Sequence, residues 1–389
     1  MKILILFGTR PEAIKMAPLV KVLETTEGVE SIVCSTGQHR QMLDQVLQLF
    51  DIQVDHDLDV MVAGQTLNGL FSRLMGRLDS LLEDVRPDCV LVHGDTTTAA
   101  ACALAAFHRR IPIGHVEAGL RTGDLSQPFP EEMSRRVVDV MGRWLFAPTI
   151  TSRTNLLREN LQGEIYVTGN TVIDALDLIV QKLEREPALG LSFAARYPWL
   201  DDGRRLILVT GHRRENFGDG FRQICQALAE LGQRDDVQIV YPVHLNPSVR
   251  EVVLSMLSDQ HNVHLIDPLD YLEFVWFMQR AYLVLTDSGG VQEEAPHLGK
   301  PVLVMRNTTE RPEAVTSGTV KLVGTDSATI VQAVQLMLDD ETLYAQMARS
   351  VNPYGDGKAS ERIADALLGR EFNPFQQEII SLKSHNNDA

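Results

Sequence analysis

Short runs of branched apolar residues at 3–7, 31–35, 89–93, 112–116, 144–147 and 165–168 alternate with longer stretches of helical period, among them 14–23, 42–50 and 97–108. That alternation admits few folds. Strands apolar on both faces need helices on both sides of their sheet, and strands separated by helices run parallel. The pattern breaks around 186–205, where Pro187, Gly190, Pro198, Asp201, Asp202 and Gly203 read as a linker. It restarts with strand-like runs at 206–210, 238–241, 263–266, 282–286, 302–305 and 320–323. At 389 residues the chain is too long for one compact core. The expected fold is α/β, with two doubly wound Rossmann-like domains facing a cleft, the first over 1–170 and the second over 171–365.

Charge and composition exclude several function classes. A formal net charge of −16 argues against a broad nucleic-acid or anionic-membrane surface, which needs a net basic face. It leaves room for one small anionic ligand held by a few Arg, Lys and backbone N–H groups. The apolar run at the N-terminus stops at Gly8-Thr9-Arg10-Pro11-Glu12, short of the about 7–15 residues of a secretory signal, and reads as a buried first strand. The uncharged stretch at 96–107 is far shorter than the about 20 helical residues that span a bilayer. A soluble, cytoplasmic protein is expected. Cys34, Cys89, Cys102 and Cys225 have no metal-type spacing and read as ordinary thiols.

Polar, unusual residues gather where the strands end. The first-half runs lead into Gly8-Thr9-Arg10-Pro11-Glu12, His93-Gly94-Asp95 and His115-Val116-Glu117-Ala118-Gly119; those of the second half lead into Gly211-His212-Arg213-Arg214-Glu215, Pro242-Val243-His244 and Asp287-Ser288-Gly289-Gly290. In open α/β sheets ligands bind outside the carboxyl ends of the strands. Thr9 through Glu12 fits a capping box, which accounts for Thr9, Pro11 and Glu12. Arg10 and Lys15 are left over. Helix N-termini disfavour cations, so two of them there point to an anionic ligand. Ser288 can cap a helix, and Gly289 and Gly290 let a diphosphate approach free N–H groups, although a tight turn alone would also use the glycines. Glu294, one turn on, is placed to grip a ribose diol. No G-x-G-x-x-G follows the first strand and there is no Walker lysine loop, which disfavours a nicotinamide oxidoreductase and a P-loop NTPase.

Asp95, Glu117, Glu131 and His212 are the acid/base candidates. Singly, each has a bland explanation: Asp95 could cap the helix that follows it, and Glu131 and Glu132 could pair with Arg135 and Arg136. Together they converge, and several carboxylates in one site can hold separated acidities and divide acid and base roles. Metal binding is the weaker reading. Asp57-Leu58-Asp59 sits before a Gly-Gln turn, and His93 and His115 lack ligand spacing.

These segments together resemble the bacterial non-hydrolysing UDP-N-acetylglucosamine 2-epimerases. The resemblance rests on residues 7–15, Gln38-His39-Arg40, 92–98, 114–123, Pro128-Phe129-Pro130-Glu131-Glu132, 211–215, 286–295 and Thr309-Glu310-Arg311-Pro312-Glu313. It implies a glycosyltransferase-B type fold, a homodimer, and a C-terminal helix at about 366–380 packing back on the first domain. It implies UDP held by the second domain, with Ser288, Gly289 and Gly290 at the phosphates, Glu294 on the ribose and Phe274 near uracil, while Arg10, Lys15 and Arg311 complete the anion site. It implies that UDP-N-acetylglucosamine and UDP-N-acetylmannosamine are interconverted through loss of UDP to 2-acetamidoglucal and its re-addition, with Asp95, Glu117, Glu131 and His212 at the reacting sugar. No cofactor, neither metal nor NAD, is implied. Relatives bind a second UDP-N-acetylglucosamine as an activator, and Gln38, Gln41, Glu131, Arg213 and His244 match that pattern. Gly64 departs from it, standing where some relatives have an arginine. A role in polysaccharide biosynthesis goes with the family. The rival readings are a glycosyltransferase, a hydrolysing epimerase releasing free N-acetylmannosamine, and a sensor that binds without turnover.

Overall fold

The computed structural model describes residues 1–37, 40–62, 64–200 and 203–376, with the side chains of residues 40–42 and 214 left aside. The N-terminal sheet is built from β1 (Lys2–Phe7), β2 (Glu30–Ser35), β3 (His56–Asp57), β4 (Cys89–His93), β5 (Ile113–Val116), β6 (Trp144–Ala147) and β7 (Glu164–Val167), in the order β3-β2-β1-β4-β5-β6-β7. Every neighbouring pair is parallel. Ile3 to Phe7 are at most 1% exposed, as a strand covered by helices on both faces must be. β1 pairs with β2 on one side and β4 on the other, with Ile3 opposite both Ser31 and Cys89. The direction of winding therefore reverses between β1 and β4, which opens the topological switch point where ligands of such sheets bind.

The C-terminal sheet repeats the plan. β8 (Arg205–Thr210), β9 (Val237–Pro242), β10 (Val263–Ile266), β11 (Leu283–Thr286), β12 (Val302–Val304) and β13 (Val320–Leu322) run in the order β10-β9-β8-β11-β12-β13, all parallel. Its reversal falls between β8 and β11. Strand-like runs in the sequence land on twelve of these strands to within a residue or two; β3, with two residues, is too short to leave an apolar run.

The chain groups into two units. The first comprises Met1–Pro187, Asp270–Val275 and Tyr354–Phe375, and the second is built mainly from Ala188–Leu269 and Trp276–Pro353. The first unit thus reaches beyond the expected boundary at 170, because the helix Thr171–Arg185 packs against the helix Arg10–Thr25. The expected linker at 186–205 holds instead a helix, Pro187–Arg196, with a proline at its first position, where a missing N–H costs nothing. Phe193 on that helix is buried, its ring 5.6 Å from that of Trp276.

The C-terminal segment also differs in place from the expected helix at 366–380. The helix is Ala359–Leu367, ended by Gly369 at φ +66°. Residues 370–376 carry no helix, and the Phe375 N–H donates to the Val167 carbonyl at 2.9 Å; residues 377–380 lie outside those described. The helix packs against Arg10–Thr25 and Thr171–Arg185 and is also tied to the first unit by a cap supplied from elsewhere in the chain. The buried Asp174 carboxylate accepts the N–H of Ser360 at 2.7 Å and of Ala359 at 3.2 Å, satisfying two donors that the helix start leaves free. Among the described residues no helix is long and apolar enough to cross a membrane.

Asp174→Ala strands both donors in a buried place, so urea unfolding should show a loss of about 1–3 kcal/mol. A variant as stable as the parent would mean that the cap contributes nothing.

Candidate active site

At the switch point of the N-terminal sheet, one carboxylate ties two turns together. Thr9 caps the helix Arg10–Thr25 in the expected capping box with Glu12. Glu12 Oε2 accepts the N–H groups of Gly8 at 3.0 Å and Thr9 at 2.8 Å, and its Oε1 accepts the Thr96 hydroxyl at 2.6 Å. The turn after β1 is thereby fixed to the turn after β4. Arg10 and Lys15 both lie on this helix, Arg10 at its first residue.

In the turn after β4, the cap of the helix Thr97–His108 is Thr96, whose hydroxyl accepts the Ala99 N–H at 3.0 Å. Asp95 is left to Arg135, which donates to Asp95 Oδ2 from Nε at 2.9 Å and Nη2 at 2.7 Å. The arginines at 135 and 136 pair with Glu132, not with Glu131. Glu132 is fully buried and also accepts the N–H groups of Thr122 at 3.0 Å and Gly123 at 3.2 Å. Glu131, the first residue of the helix Glu131–Met141, keeps a buried Oε2 without a hydrogen-bond partner.

Glu117 follows β5 at φ +67°, a left-handed backbone that costs a non-glycine residue about 1–3 kcal/mol and marks functional turns. Its Oε2 takes the Lys15 ammonium, the Asn170 amide at 2.9 Å and, at 3.7 Å, lies next to Nε2 of His93. Burial by itself would raise this carboxyl. The Lys15 charge, with that of His93 when protonated, outweighs it and holds Glu117 well below the usual carboxylate range. His93 is 4% exposed, yet neither ring nitrogen has a hydrogen-bond partner. His93 stands out in the sequence only as a strand-end residue without ligand spacing, and Asn170 carries no mark at all; its side chain also caps Thr171–Arg185.

The C-terminal sheet has its own polar edge. Asp287, fully buried after β11, accepts the N–H groups of His212 at 2.9 Å and Arg213 at 2.8 Å and the Asn216 amide at 3.2 Å, so it shapes the turn after β8. In the sequence Asp287 stands out less than the glycines that follow it, because its partners lie in the turn after β8. His212 lies 3.6 Å from Asp287 and stacks on His244, ring centroids 5.5 Å apart. Its ring is held below the ordinary imidazole range, by desolvation first and then by Arg213 and His244, against the pull of Asp287. His244 is exposed and its Nδ1 accepts the Asn246 N–H at 3.1 Å.

Ser288 begins the short helix Gly289–Glu294 without a side-chain capping bond. Arg311 lies so close over Gly289 that a Cβ there would meet the guanidinium and displace it. Arg311 donates to Glu293 and Glu310, both at 2.8 Å, and Arg306 to Glu310 at 2.7 Å. Burial would raise Glu310, but Arg311 and Arg306 bring it down to about 2. Arg213 approaches the same carboxylate at 3.4 Å, and its Nε is buried without a partner. Glu294 is buried at the end of the helix. Phe274, assigned by resemblance to the second domain, sits in Asp270–Val275, which groups with the first unit, where Tyr271 packs on Phe50 with centroids 6.4 Å apart. Gln38 and the side chain of Gln41 lie outside the described residues. Among those described, no three His, Cys, Asp or Glu side chains are grouped to hold a metal.

Two doubly wound parallel sheets of this strand order, one edged with differently held carboxylates and the other with a glycine–arginine turn, define an α/β enzyme with glycosyltransferase-B-like domains. Comparison with known proteins narrows the class. The protein-family model described as UDP-N-acetylglucosamine 2-epimerase matches residues 21–368. The chain is 58% identical over 375 residues to the UDP-N-acetylglucosamine 2-epimerase of Escherichia coli strain K12, covering 96% of this chain and 100% of that one. The crystal structure of UDP-GlcNAc 2-epimerase from Neisseria meningitidis bound to UDP-GlcNAc is 49% identical, with a TM-score of 0.90 over 95% of this chain and 100% of that one. The Methanocaldococcus jannaschii enzyme in complex with UDP-GlcNAc and UDP is 33% identical, with a TM-score of 0.81 over 95% and 100%. The chain belongs to the UDP-N-acetylglucosamine 2-epimerase family.

The Lys15–Glu117 pair gives a prediction with a definite sign. A carboxyl held low stabilises the fold above the ordinary carboxylate range and loses that contribution as pH falls through its folded value. Lys15→Met should raise the Glu117 titration, read by carboxyl carbon NMR, and move acid unfolding to higher pH. An unmoved Glu117 titration would exclude Lys15 as its counter-charge.

Proposed function

We propose that this chain is a UDP-N-acetylglucosamine 2-epimerase that acts by elimination and re-addition of UDP. The observation that carries the reading is the unequal treatment of three carboxylates on one unit of a chain in this family. Glu117 is held ionised by Lys15, Asp95 is gripped by Arg135, and Glu131 keeps an unengaged oxygen. Carboxyl groups in such different surroundings can divide acid and base duties.

The sugar needs that division. C2–H has no neighbouring carbonyl, so taking its proton alone would leave an unstabilised carbanion. When the C1–O bond to the diphosphate breaks as the proton leaves, the C–H electron pair becomes the C1=C2 bond of 2-acetamidoglucal and the C1–O pair departs with UDP. Re-addition returns UDP to C1 and delivers a proton to the other face of C2. No electrons are gained or lost over the cycle, so the chemistry calls for no redox cofactor. Asp95, Glu117 and Glu131 are the groups proposed to move the protons, with His212 beside the leaving phosphate. Arg10, Lys15, Arg311 and the Ser288-Gly289-Gly290 turn are proposed to hold the diphosphate, Glu294 the ribose and Phe274 the uracil. Gln38, Gln41, Arg213 and His244 are proposed to respond to a second molecule of UDP-N-acetylglucosamine as activator.

The deciding experiment is proton NMR of UDP-N-acetylglucosamine with the protein in D₂O, with EDTA and without NAD. UDP-N-acetylmannosamine carrying deuterium at C2 is the expected product. Free N-acetylmannosamine with UDP would replace the reading by a hydrolysing enzyme, and an unchanged spectrum by a transferase. Asp95→Asn and Glu117→Gln should keep UDP binding while turnover falls about 10²-fold or more. Near-normal rates in both would remove their acid/base assignment. Gly289→Ala, which displaces Arg311, should weaken UDP binding roughly 10- to 100-fold with the circular dichroism unchanged.

A further inference from the structure

His115 is absent from the acid/base set, yet its ring joins the elements that carry that set. It ends in the core between β4 and β6 and is 0% exposed. Nδ1 lies 2.6 Å from Asp139 Oδ1, and Nε2 lies 2.8 Å from the carbonyl oxygen of Gly94. A backbone carbonyl only accepts. Asp139 is an acceptor as well: its Oδ2 takes the Arg121 guanidinium at 2.7 Å and the Gly119 N–H at 3.3 Å. Two donors on one oxygen, one of them the permanently charged Arg121 guanidinium, keep the Asp139 carboxyl ionised without any charge on the ring. Both neighbours of the ring therefore need a proton from it. A ring with one bare nitrogen would set a lone pair against an oxygen lone pair at 2.6 or 2.8 Å with no water to intervene.

The charges around the ring alternate. Asp139 faces His115, Arg121 faces Asp139, and Glu159 closes the chain on Arg121 with contacts of 2.7 and 2.8 Å. A ring donating from both nitrogens balances this row of four, which runs from the buried His115 and Asp139 through Arg121 to Glu159 at the surface.

The geometry points to His115 as a positioning residue that donates from both ring nitrogens and sets the carboxylates of the reaction in register. Asp139 belongs to the helix Glu131–Met141, which also carries Glu131 and the Arg135 that grips Asp95. Gly94, at φ +63°, directly precedes Asp95, and Glu117 stands two residues after His115. One ring thus fixes the helix of Glu131, the turn of Asp95 and the strand end of Glu117 to one another. A neutral side chain that drops either bond lets the turn slide against the helix while every group proposed to touch substrate remains present.

This inference rests on the epimerase reading for its catalytic consequence and not for its protonation pattern, so two measurements separate them. In the full-length protein with ¹⁵N-labelled histidine at neutral pH, the resonances lost in His115→Gln should show a proton on each ring nitrogen in the parent. A bare nitrogen at either position overturns the proposal; if the variant does not fold, the ring is assigned in the parent itself by its scalar coupling across the hydrogen bond to the Gly94 carbonyl. In turnover of UDP-N-acetylglucosamine, His115→Gln should lower kcat roughly 10- to 100-fold, the scale of a small misplacement of reacting groups, with KM and UDP affinity unchanged. A parent-like kcat overturns the positioning role. A parent that shows both ring protons but no epimerisation would count against the proposed function and leave the doubly donating ring standing.

Discussion

A parallel sheet buried on both faces must send the chain back over itself by helices, so all its strands finish at one edge. Where the winding reverses, neighbouring turns diverge and leave backbone N–H groups and side chains facing a gap. Both units depend on that constraint. In the first, the gap between β1 and β4 receives Thr9, Glu12, Asp95 and Thr96; in the second, the gap between β8 and β11 receives His212, Asp287 and Gly289. Each reversal is held by one buried carboxylate. Glu12 joins the first pair of turns through the Gly8 and Thr9 N–H groups and the Thr96 hydroxyl, and Asp287 joins the second through His212, Arg213 and Asn216. Neither needs to touch a ligand to matter.

The electrostatics of the two units differ in kind. The first spreads its carboxylates over several cations: Glu117 lies on Lys15, Asp95 and Glu132 share Arg135, and Asp139 shares Arg121 with Glu159. Carboxylates in such different surroundings can hold separated acidities. The second assembles a shared network in which Glu310 serves Arg306, Arg311 and, at longer range, Arg213. Guanidiniums held as a group by one carboxylate have their orientation already fixed, which is the preorganisation that binding an anion asks for.

Much of the site was legible as a set of positions and little of it as a set of partners. Asp95 and Glu117 were marked by standing at strand ends, and Thr9 with Glu12 by a local spacing. Asn170 was not, because its amide serves Glu117 fifty-three positions away while its carbonyl does the ordinary work of capping a helix. The bland reading of Asp95 as a cap failed because Thr96 holds that place, and the bland pairing of Glu131 failed because Glu132 faces both arginines. In each case two adjacent residues of similar chemistry competed, and only their directions separated them.

What the sequence by itself determined was the α/β class, the position of nearly every strand, and the turns in which polar groups would be concentrated. These follow from periodicity and from local caps, which act over a few residues. The tertiary structure decided which cation neutralises which carboxylate, that Asp174 would cap a helix almost two hundred residues away, and that His115 would lie between Asp139 and the Gly94 carbonyl. Those outcomes hang on the lateral order of strands and on how each helix is rotated over them. Both are set by packing between segments remote in sequence, and a buried charge finds its partner only after that packing has brought the two within reach.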